Sequence, residues 1–490
     1  MVEAARLRAH EKARLHERQH TSKWGNMMEL EELHGRIQGD ITKFGDAGYE
    51  SLRRAMVWNQ LVPERHPRII VEAANDNDVI EAVRFARANR MKIAVRGGGH
   101  SWVGFSLRDD SLLIDLGRLN EVSIDPQARR AIVGPTVIGR EFNRQLAEHG
   151  LAFPVGHCPT VPLSGFLLNG GFGWNFGGWG PACFSIESAD VVTADGNLVT
   201  TSESEHTDLL WAVRGGGPGF FGVVTKYHLK LFAAPRAITT TNYYFALSQA
   251  ERVGTWARSI ASLLTKHVEL TIFFAPAPPP LAPRSASDNG FVCIVSATAF
   301  VDTAREAAAA LEPVNNCSLA SDCLQKELNL STPIDALLEM GGALWPEHHR
   351  YLADTLWTNS PPATVLATLR DHFRRAPSAK SQTAFVLPTG KDRDSSPLPD
   401  GAHSMTGDAL MLCYAIWERP EDDAANGAWH RAMMADLDNF AVGHYVGESD
   451  IVADPRRAER SYAKANWERL QRLRRKYDPD GLFHGHFGVS

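Results

Sequence analysis

The chain has 490 residues, of which 44% are hydrophobic and 22% are charged, a composition typical of soluble globular proteins of two or three domains. The net charge of −6, with both signs interspersed, excludes nucleic acid and anionic membranes as expected partners, because no basic stretch could displace phosphate counterions. Residues 1–20 lack the continuous apolar core of a secretory signal, and no run is long enough to span a bilayer, so a cytoplasmic location is expected. The six cysteines form no C-x-x-C pair, and we predict no metal site.

The predicted elements start after a polar segment, residues 1–49, which we interpret as an N-terminal extension. Residues Arg68–Glu72 and Lys92–Arg96 read as short strands. Between them, Asn75 and Asp78 resemble a capping pair that opens a helix. The second strand ends abruptly in glycines, at the position where α/β proteins tend to bind ligands.

Later segments predict further strands and a second domain. The β-like runs are Leu112–Leu116, Ala131–Val133, Ala189–Thr193 and Phe221–Lys230. Residues Gly165–Gly180 are rich in glycine and hold no evident element, and a structureless stretch of this size inside a domain is usually functional. Residues 237–439 predict an antiparallel sheet with covering helices, and the chain closes with a helix over Ser461–Tyr477.

The hexapeptide Arg96-Gly-Gly-Gly-His-Ser101 is the first motif that carries chemistry. Three consecutive glycines let backbone N–H groups approach a phosphate without any Cβ in the way. The loop has neither the spacing of a P-loop nor the G-x-G-x-x-G of a dinucleotide-binding unit. On the hexapeptide alone, a tight turn with an exposed histidine is an equally good interpretation.

Further motifs follow in order along the chain. They are Gly156-His-Cys-Pro-Thr160, Trp211-Ala-Val-Arg-Gly-Gly-Gly217, Gly219-Phe-Phe-Gly-Val-Val-Thr225 and Lys476-Tyr-Asp-Pro-Asp-Gly-Leu-Phe483. With these motifs the chain resembles the FAD-linked oxidases of the vanillyl-alcohol oxidase (p-cresol methylhydroxylase) superfamily, in its berberine-bridge-enzyme-like branch. The resemblance covers about half of the chain, in residues 67–231, 439–450 and 462–483. It implies an α+β fold with a PCMH-type FAD-binding domain (residues 50–236, completed by 440–490) and a substrate-binding domain (residues 237–439) whose antiparallel sheet is covered by helices.

The resemblance also implies how FAD is held. It places a covalent bond from His100 to the flavin 8α-methyl group, and a second bond from Cys158 to flavin C6. A structural role is the alternative for Cys158, because a lone cysteine is more often a small buried apolar residue. The other residues expected to contact FAD are Arg96, Gly97, Gly98, Gly99, Ser101, Thr160, Val161, Gly165, Gly170, Gly171, Gly173, Val192, Gly222, Val223 and Asn466. For each glycine among them, a plain turn or packing role is the alternative.

Catalysis by such an enzyme requires a group that takes a proton from the substrate. Tyr462 stands four residues before Asn466, a spacing that would place both on one helix face, and the resemblance implies that a tyrosine near this position assists deprotonation. Packing is the alternative for Tyr462, and His403, His444 and Tyr445 are further candidates. In this branch the residue three positions past the cysteine gates oxygen, and here it is Val161, which favours an oxidase that releases hydrogen peroxide.

The sequence therefore predicts an FAD-dependent oxidase that transfers a hydride from an alcohol, sugar or amine-type small molecule to covalent FAD and then to O₂. Three alternatives stay open: a dehydrogenase of the same fold, an enzyme of oxidative cyclisation or desaturation, and a flavin-binding protein without catalysis. No motif names the substrate. Trp357, Phe385 and Trp417 could line its pocket, although aromatic residues at strand-like spacing are more often core.

Overall fold

The computed structural model describes residues 30–390 and 398–487. Its first sheet has the strand order Asp40–Lys43, Ile69–Glu72, Leu112–Asp115 and Ile93–Arg96. Two of these strands, Ile69–Glu72 and Ile93–Arg96, pair in parallel with Leu112–Asp115, which lies between them. The predicted β-α-β unit is therefore present, and the glycine loop follows the carboxyl end of its second strand.

The helix of this unit, Asp76–Ala88, forms for a local reason. Asn75 is its N-cap, and its side chain accepts a hydrogen bond of 3.0 Å from the backbone N–H of Asp78. The helix buries Val79, Ala82, Val83 and Ala86, so its apolar stripe covers the first sheet.

The N-terminal boundary differs from the prediction. Residues 1–29 of the expected extension lie outside the described residues, but Asp40–Lys43 pairs antiparallel with Ile69–Glu72. Residues Asp40–Lys43 thus form an edge strand of the first sheet and are not part of an N-terminal extension. Its alternation is short and polar, which explains why the sequence pattern did not indicate a strand.

The second sheet is antiparallel, with the order Val122–Asp125, Arg130–Val133, Val223–Lys230, Ile186–Val192 and Leu198–Thr201. Phe232–Ala233 and Leu151–Ala152 form a separate two-stranded ribbon. The glycine-rich stretch that was expected to hold no element contains the short helices Leu163–Leu168 and Phe176–Trp179. Both helices are too short for their periodicity to be recognised among so many glycines.

The third sheet, called the large sheet below, has eight strands within the described residues. Its order is Gln325–Ser331, Ala237–Ala246, Phe291–Val301, Val268–Pro276, Gln382–Leu387, Ala409–Trp417, Arg350–Thr358 and Ala441–Gly443. The helices Ala250–Ala261, Pro362–Phe373 and Asp423–Leu437 share one hydrophobic core with it, as predicted for an antiparallel sheet covered by helices. The strand Ala441–Gly443 belongs to this sheet, so the large sheet extends a few residues past the expected boundary at 439.

Strand alternation gives the large sheet two different faces. Alternate residues such as Ile272, Phe385 and Met411 point into the helix-covered core. The intervening residues, such as Phe273, Val386 and Leu412, line a cavity on the other face. Of the three aromatic residues suggested for the substrate pocket, Trp357 lines this cavity, whereas Phe385 and Trp417 lie in the core.

The remaining helices connect and cover these sheets. They are Leu30–Arg36, Tyr49–Ala55, Gly139–Ala147, Thr207–Val213, Ala304–Ala310, Glu312–Asn315, Ile334–Leu344, Arg456–Arg460 and Lys464–Tyr477. Among the residues described, no helix combines the length and apolar character needed to cross a bilayer. The same residues contain no cluster of His, Cys, Asp and Glu side chains suited to a metal ion.

Candidate active site

A cavity of about 380 Å³ lies between the glycine loop and the open face of the large sheet. One wall consists of residues 93–101 with the segment around Cys158 and the C-terminal residues Phe483 and His484. The opposite wall consists of side chains from strands Val268–Pro276, Gln382–Leu387 and Ala409–Trp417. A pocket between two such units is a common position for a cofactor and its substrate.

The glycine loop is packed so closely that side chains would not fit. A Cβ on Gly97 would overlap the Ser164 hydroxyl, and one on Gly98 would overlap the Pro162 ring. Gly99 has φ +72°, a conformation that residues with side chains rarely adopt. The glycines are therefore required by the packing of the loop, and they leave its backbone open toward the cavity.

Arg96 fixes the start of this loop. Its Nη1 donates a hydrogen bond of 2.8 Å to Asp115 at the end of the neighbouring strand. Its Nε is buried and has no hydrogen-bond partner within the described part of the chain. Because unpaired buried donors are rare, the Arg96 Nε points to a missing acceptor.

His100 lies at the end of the loop, with its ring stacked on Trp58 at a centroid distance of 5.0 Å. Burial lowers the pKa of His100 to about 4. The imidazole is thus neutral at physiological pH, and a neutral ring nitrogen carries the lone pair that a nucleophile needs.

Cys158 lines the same cavity as His100. Its Sγ lies 3.6 Å from the hydroxyl of Thr160, and burial raises the pKa of its thiol. The preceding residue, His157, packs on Trp174 and lies with its Nε2 3.7 Å from a carboxylate oxygen of Glu269. The two side chains predicted to carry the flavin are therefore brought to one cavity.

The cavity separates the predicted FAD contacts into two groups. Those that line it are Arg96, Gly97, Gly98, Gly99, His100, Ser101, Cys158, Val161, Gly165, Gly173 and Gly222. Those that do not are Thr160, Gly170, Gly171, Val192, Val223 and Asn466. Gly170 packs against His403, and Val192 pairs with Val223 inside the hydrophobic core behind the first sheet. The structure therefore packs Gly170, Val192 and Val223 behind the cavity wall, and contact of the second group with FAD stays a prediction.

Tyr462 also lies outside the cavity lining. The last helix of the chain begins at Lys464 and not at Ser461. Tyr462 therefore precedes this helix, and the expectation that it shares a helix face with Asn466 is wrong. The Tyr462 side chain is 4% exposed and stacks on Trp467 at 5.6 Å, while its hydroxyl faces Gly217. The Asn466 amide donates a hydrogen bond of 3.0 Å to the Gly401 carbonyl.

A carboxyl group that the sequence analysis missed, Glu448, also lines the cavity. Glu448 Oε2 accepts hydrogen bonds from Trp102 Nε1, at 3.1 Å, and from the Tyr414 hydroxyl. Burial raises the pKa of Glu448, and the two donors act against that rise. Its partners come from the glycine loop and from the large sheet, so no local motif could have found this group.

The segment that carries Glu448 is fixed to the strand Arg350–Thr358. The Thr355 hydroxyl accepts a hydrogen bond of 2.9 Å from the N–H of Tyr445 and lies 2.8 Å from the Ser449 hydroxyl. Tyr445, one of the further candidates for the base, lines the cavity and packs edge-on against Phe172. His403 and His444 are buried outside the lining.

Two family models match the chain. A model of the FAD binding domain matches residues 67–202, and a model described as berberine and berberine like matches residues 444–490. An FAD-linked oxidoreductase, penO, from Penicillium crustosum is 30% identical over 442 residues, which cover 90% of this chain and 94% of that protein. The chain belongs to the berberine-bridge-enzyme-like family of FAD-linked oxidoreductases.

Other members of the family agree with this assignment. The (R)-6-hydroxynicotine oxidase of Paenarthrobacter nicotinovorans is 34% identical over 239 residues, which cover 48% of this chain and 51% of that enzyme. The crystal structure of 6-hydroxy-D-nicotine oxidase from Arthrobacter nicotinovorans has a TM-score of 0.78 at 21% identity and covers 95% of this chain and 100% of that one. At 21% identity, the similarity to this crystal structure shows the fold alone.

The residues of the cavity fit FAD, the cofactor of this family. The glycine loop offers backbone N–H groups at the end of a parallel strand, as a pyrophosphate requires. Five buried polar atoms of lining residues have no hydrogen-bond partner among the described residues: Arg96 Nε, Asn169 Oδ1, Trp345 Nε1, Trp357 Nε1 and His484 Nε2. These unpaired atoms are what a cofactor with many acceptors and donors would satisfy.

Proposed function

We propose that the protein is an oxidase that holds FAD covalently through His100 and Cys158 and oxidises a small organic substrate. The observation that carries the proposal is that both side chains line one cavity that a carboxyl group, Glu448, also lines. When bound, FAD supplies the acceptor for a hydride from the substrate and passes two electrons to O₂. The substrate loses a hydride and a proton, and O₂ gains both as hydrogen peroxide.

The chain's own residues divide this work. The glycine loop and Arg96 would hold the pyrophosphate, and neutral His100 and Cys158 would fix the ring. Glu448 would take the substrate proton, because a carboxylate is a base that can be positioned within hydrogen-bond reach of the reacting group. The Trp102 and Tyr414 hydrogen bonds to its Oε2 would hold Glu448 in one orientation.

Val161 supports an oxidase over a dehydrogenase. It lines the cavity three positions after Cys158, and its backbone N–H donates to the Cys158 carbonyl, so the position of its side chain is set by the same turn. A valine is small enough to leave space for O₂ where a larger side chain would fill it. Replacement by Leu is expected to slow reoxidation by O₂ while an artificial dye still accepts electrons.

The first test is the intact mass of the purified, denatured protein. We expect a gain of one FAD, and proteolysis should place the bonds on the peptides that contain His100 and Cys158. The variants His100→Ala and Cys158→Ala should each retain one bond, and the double variant should release all flavin on denaturation. Cys323→Ala is the matched control, because that cysteine lies outside the cavity. An apoprotein mass from yellow protein would contradict the covalent bonds and leave the fold untouched.

The second test separates the oxidase from its alternatives. During turnover of a substrate that it oxidises, an oxidase releases one hydrogen peroxide for each O₂ consumed. A dehydrogenase needs another electron acceptor. A protein whose bound FAD no donor bleaches would be a flavin-binding protein without catalysis. Product analysis distinguishes simple oxidation from cyclisation or desaturation.

A further inference from the structure

The substrate side of the cavity carries two carboxyl groups and no cationic side chain that could balance them among the described residues. Its ionisable side chains among the described residues are Glu448, Glu269 and His157. No Lys or Arg of the described residues lines this side, since Arg96 is at the glycine loop and is paired with Asp115. Glu269 is partly satisfied, because its Oε1 accepts a hydrogen bond of 3.0 Å from the N–H of Phe176 and its Oε2 lies near His157.

Only one oxygen of the Glu448 carboxyl group accepts hydrogen bonds from the described residues. Both of its donors, Trp102 Nε1 and the Tyr414 hydroxyl, bind Oε2. Its Oε1 accepts no hydrogen bond from any residue in the described ranges, and the residue lines the cavity. A carboxylate that is held in place by two neutral donors and has one free oxygen is prepared for a donor on a ligand.

Aromatic rings surround this carboxyl group. Trp102 lies edge-on to Tyr414 at 5.6 Å, and Trp345 lies edge-on to the same tyrosine at 5.7 Å. Tyr351 and Trp58 extend the cluster beneath Trp102, at 4.9 and 5.8 Å. The faces of such rings attract cations, and a desolvated site strengthens that attraction.

Much of the rest of this wall is apolar, although Thr271 and Thr389 also line it, and the indole N–H groups of Trp345 and Trp357 have no hydrogen-bond partner among the described residues. Leu270, Phe273, Val386, Leu410 and Leu412 line it from the large sheet. An anionic substrate would face two carboxyl groups.

We propose that the substrate is a protonated amine on an apolar skeleton, with its ammonium group donating to Glu448 Oε1 among the rings of Trp102, Trp345 and Tyr414. This inference rests on the proposed function for the statement that the cavity holds a substrate. It selects the amine among the three substrate classes that the sequence predicts, which are alcohol, sugar and amine. The two carboxyl groups, Glu448 and Glu269, disfavour an anionic substrate in the same cavity.

Binding can be measured without turnover. The probes are benzyldimethylammonium and its near-isosteric neutral analogue isobutylbenzene, titrated into the purified holoenzyme while tryptophan fluorescence and the flavin absorption spectrum are recorded. We expect the cation to bind at least about tenfold more tightly than the neutral analogue, as an ion pair and ring contacts both favour it. Equal affinity, or tighter binding of the neutral analogue, would overturn the inference without any variant.

Two isosteric variants locate the effect. Glu448→Gln should remove most of the preference for the cation and leave the affinity for isobutylbenzene within about twofold. Glu269→Gln is the matched control, because it removes the same charge from the same cavity and should lower the preference by less. Flavin content and Tm show that each variant is folded. An equal effect of both variants would mean that the cation responds to the general field and not to Glu448 Oε1.

The outcomes separate this inference from the proposed function. Glu448-dependent binding of the cation by a protein without peroxide production would leave the amine site standing and remove the oxidase. Peroxide from neutral alcohols, with no preference for the cation, would leave the oxidase standing and remove the amine site.

Discussion

The two walls of the cavity are built in different ways. The cofactor wall is one continuous segment, residues 93–101, with a second segment around Cys158, and its properties come from backbone conformation. The substrate wall consists of side chains from separate strands, joined to Trp102 through a hydrogen bond that spans 346 residues to Glu448. Local motifs can encode the first wall, whereas only the tertiary fold defines the second.

The largest expected effect tests the cofactor wall. Gly97→Ala would place a Cβ on the Ser164 side chain, and the loop would have to move. We expect the purified variant to contain less than about a tenth of the wild-type FAD, since overpacking of this kind costs about 1–3 kcal/mol and displaces the backbone. The measurement is flavin absorbance per protein. Gly35→Ala is the control, because nothing lies within 4 Å of a Cβ there.

The double variant Gly97→Ala, Ser164→Gly sharpens this test. It removes the side chain that the new Cβ would meet, so FAD content should recover in part. Full FAD content in Gly97→Ala alone would show that the loop has more freedom than its packing indicates, and the contrast between the two walls would fail on the cofactor side.

The next effect tests the substrate wall. Thr355→Val keeps the shape of the side chain but leaves the N–H of Tyr445 without its acceptor and removes one of the two partners of the Ser449 hydroxyl. We expect a loss of about 1–3 kcal/mol in stability and a fall of about tenfold or more in kcat, because Glu448 is displaced while the cofactor wall is untouched. Thermal unfolding and steady-state kinetics measure both.

Thr355→Ser is the matched control for the hydroxyl, and it should behave nearly as wild type. FAD content should stay at the wild-type level in both variants. A loss of FAD in Thr355→Val would mean that the cofactor wall depends on the substrate wall, and the two walls could not be treated as separately built.

These two walls also mark how far the sequence could be interpreted. The β-α-β unit and the glycine loop were predictable from local sequence, because strand periodicity and a run of glycines are local properties. His100 and Cys158 were proposed from the family resemblance, and their bonds to the flavin stay a prediction. Glu448 was not predictable, since its partners Trp102 and Tyr414 are apart in sequence and no spacing relates them. The short helices between Gly165 and Gly180 and the edge strand Asp40–Lys43 were missed because elements of four to six residues carry too little periodicity.

A smaller effect compares the supports behind the walls. His403 packs behind the glycine-rich stretch, and His430 contacts the carbonyl of Cys413 behind the large sheet. Burial lowers the pKa of each to about 4. The unfolded chain, with a histidine pKa near 6.5, binds more protons between pH 6.5 and 4, so folded stability falls as the pH decreases through that window. Each of the two histidines should lower the free energy of unfolding by about 2 kcal/mol when the pH falls from 7 to 5.

The variants His403→Gln and His430→Gln measure the two contributions separately. Each should reduce the slope of unfolding free energy against pH between 6.5 and 5, whatever its effect at pH 7. The readout is the slope and not the absolute stability, which removes any constant packing defect. An unchanged slope in both variants would mean that other groups dominate acid unfolding.

The smallest expected effect decides between a motif-based and a cavity-based view of the catalytic base. Tyr462 was predicted from its spacing to Asn466, but its hydroxyl is enclosed, unpaired within the described chain and off the cavity lining. Tyr462→Phe should therefore change kcat by less than about twofold, and it should raise stability slightly if at all, because it removes a buried hydroxyl without a partner. Tyr445→Phe is the comparison, since that ring lines the cavity. A fall of a hundredfold or more in Tyr462→Phe, with normal FAD content and an unchanged Tm, would restore Tyr462 as the base and would require Gly217 and its neighbours to move when substrate binds.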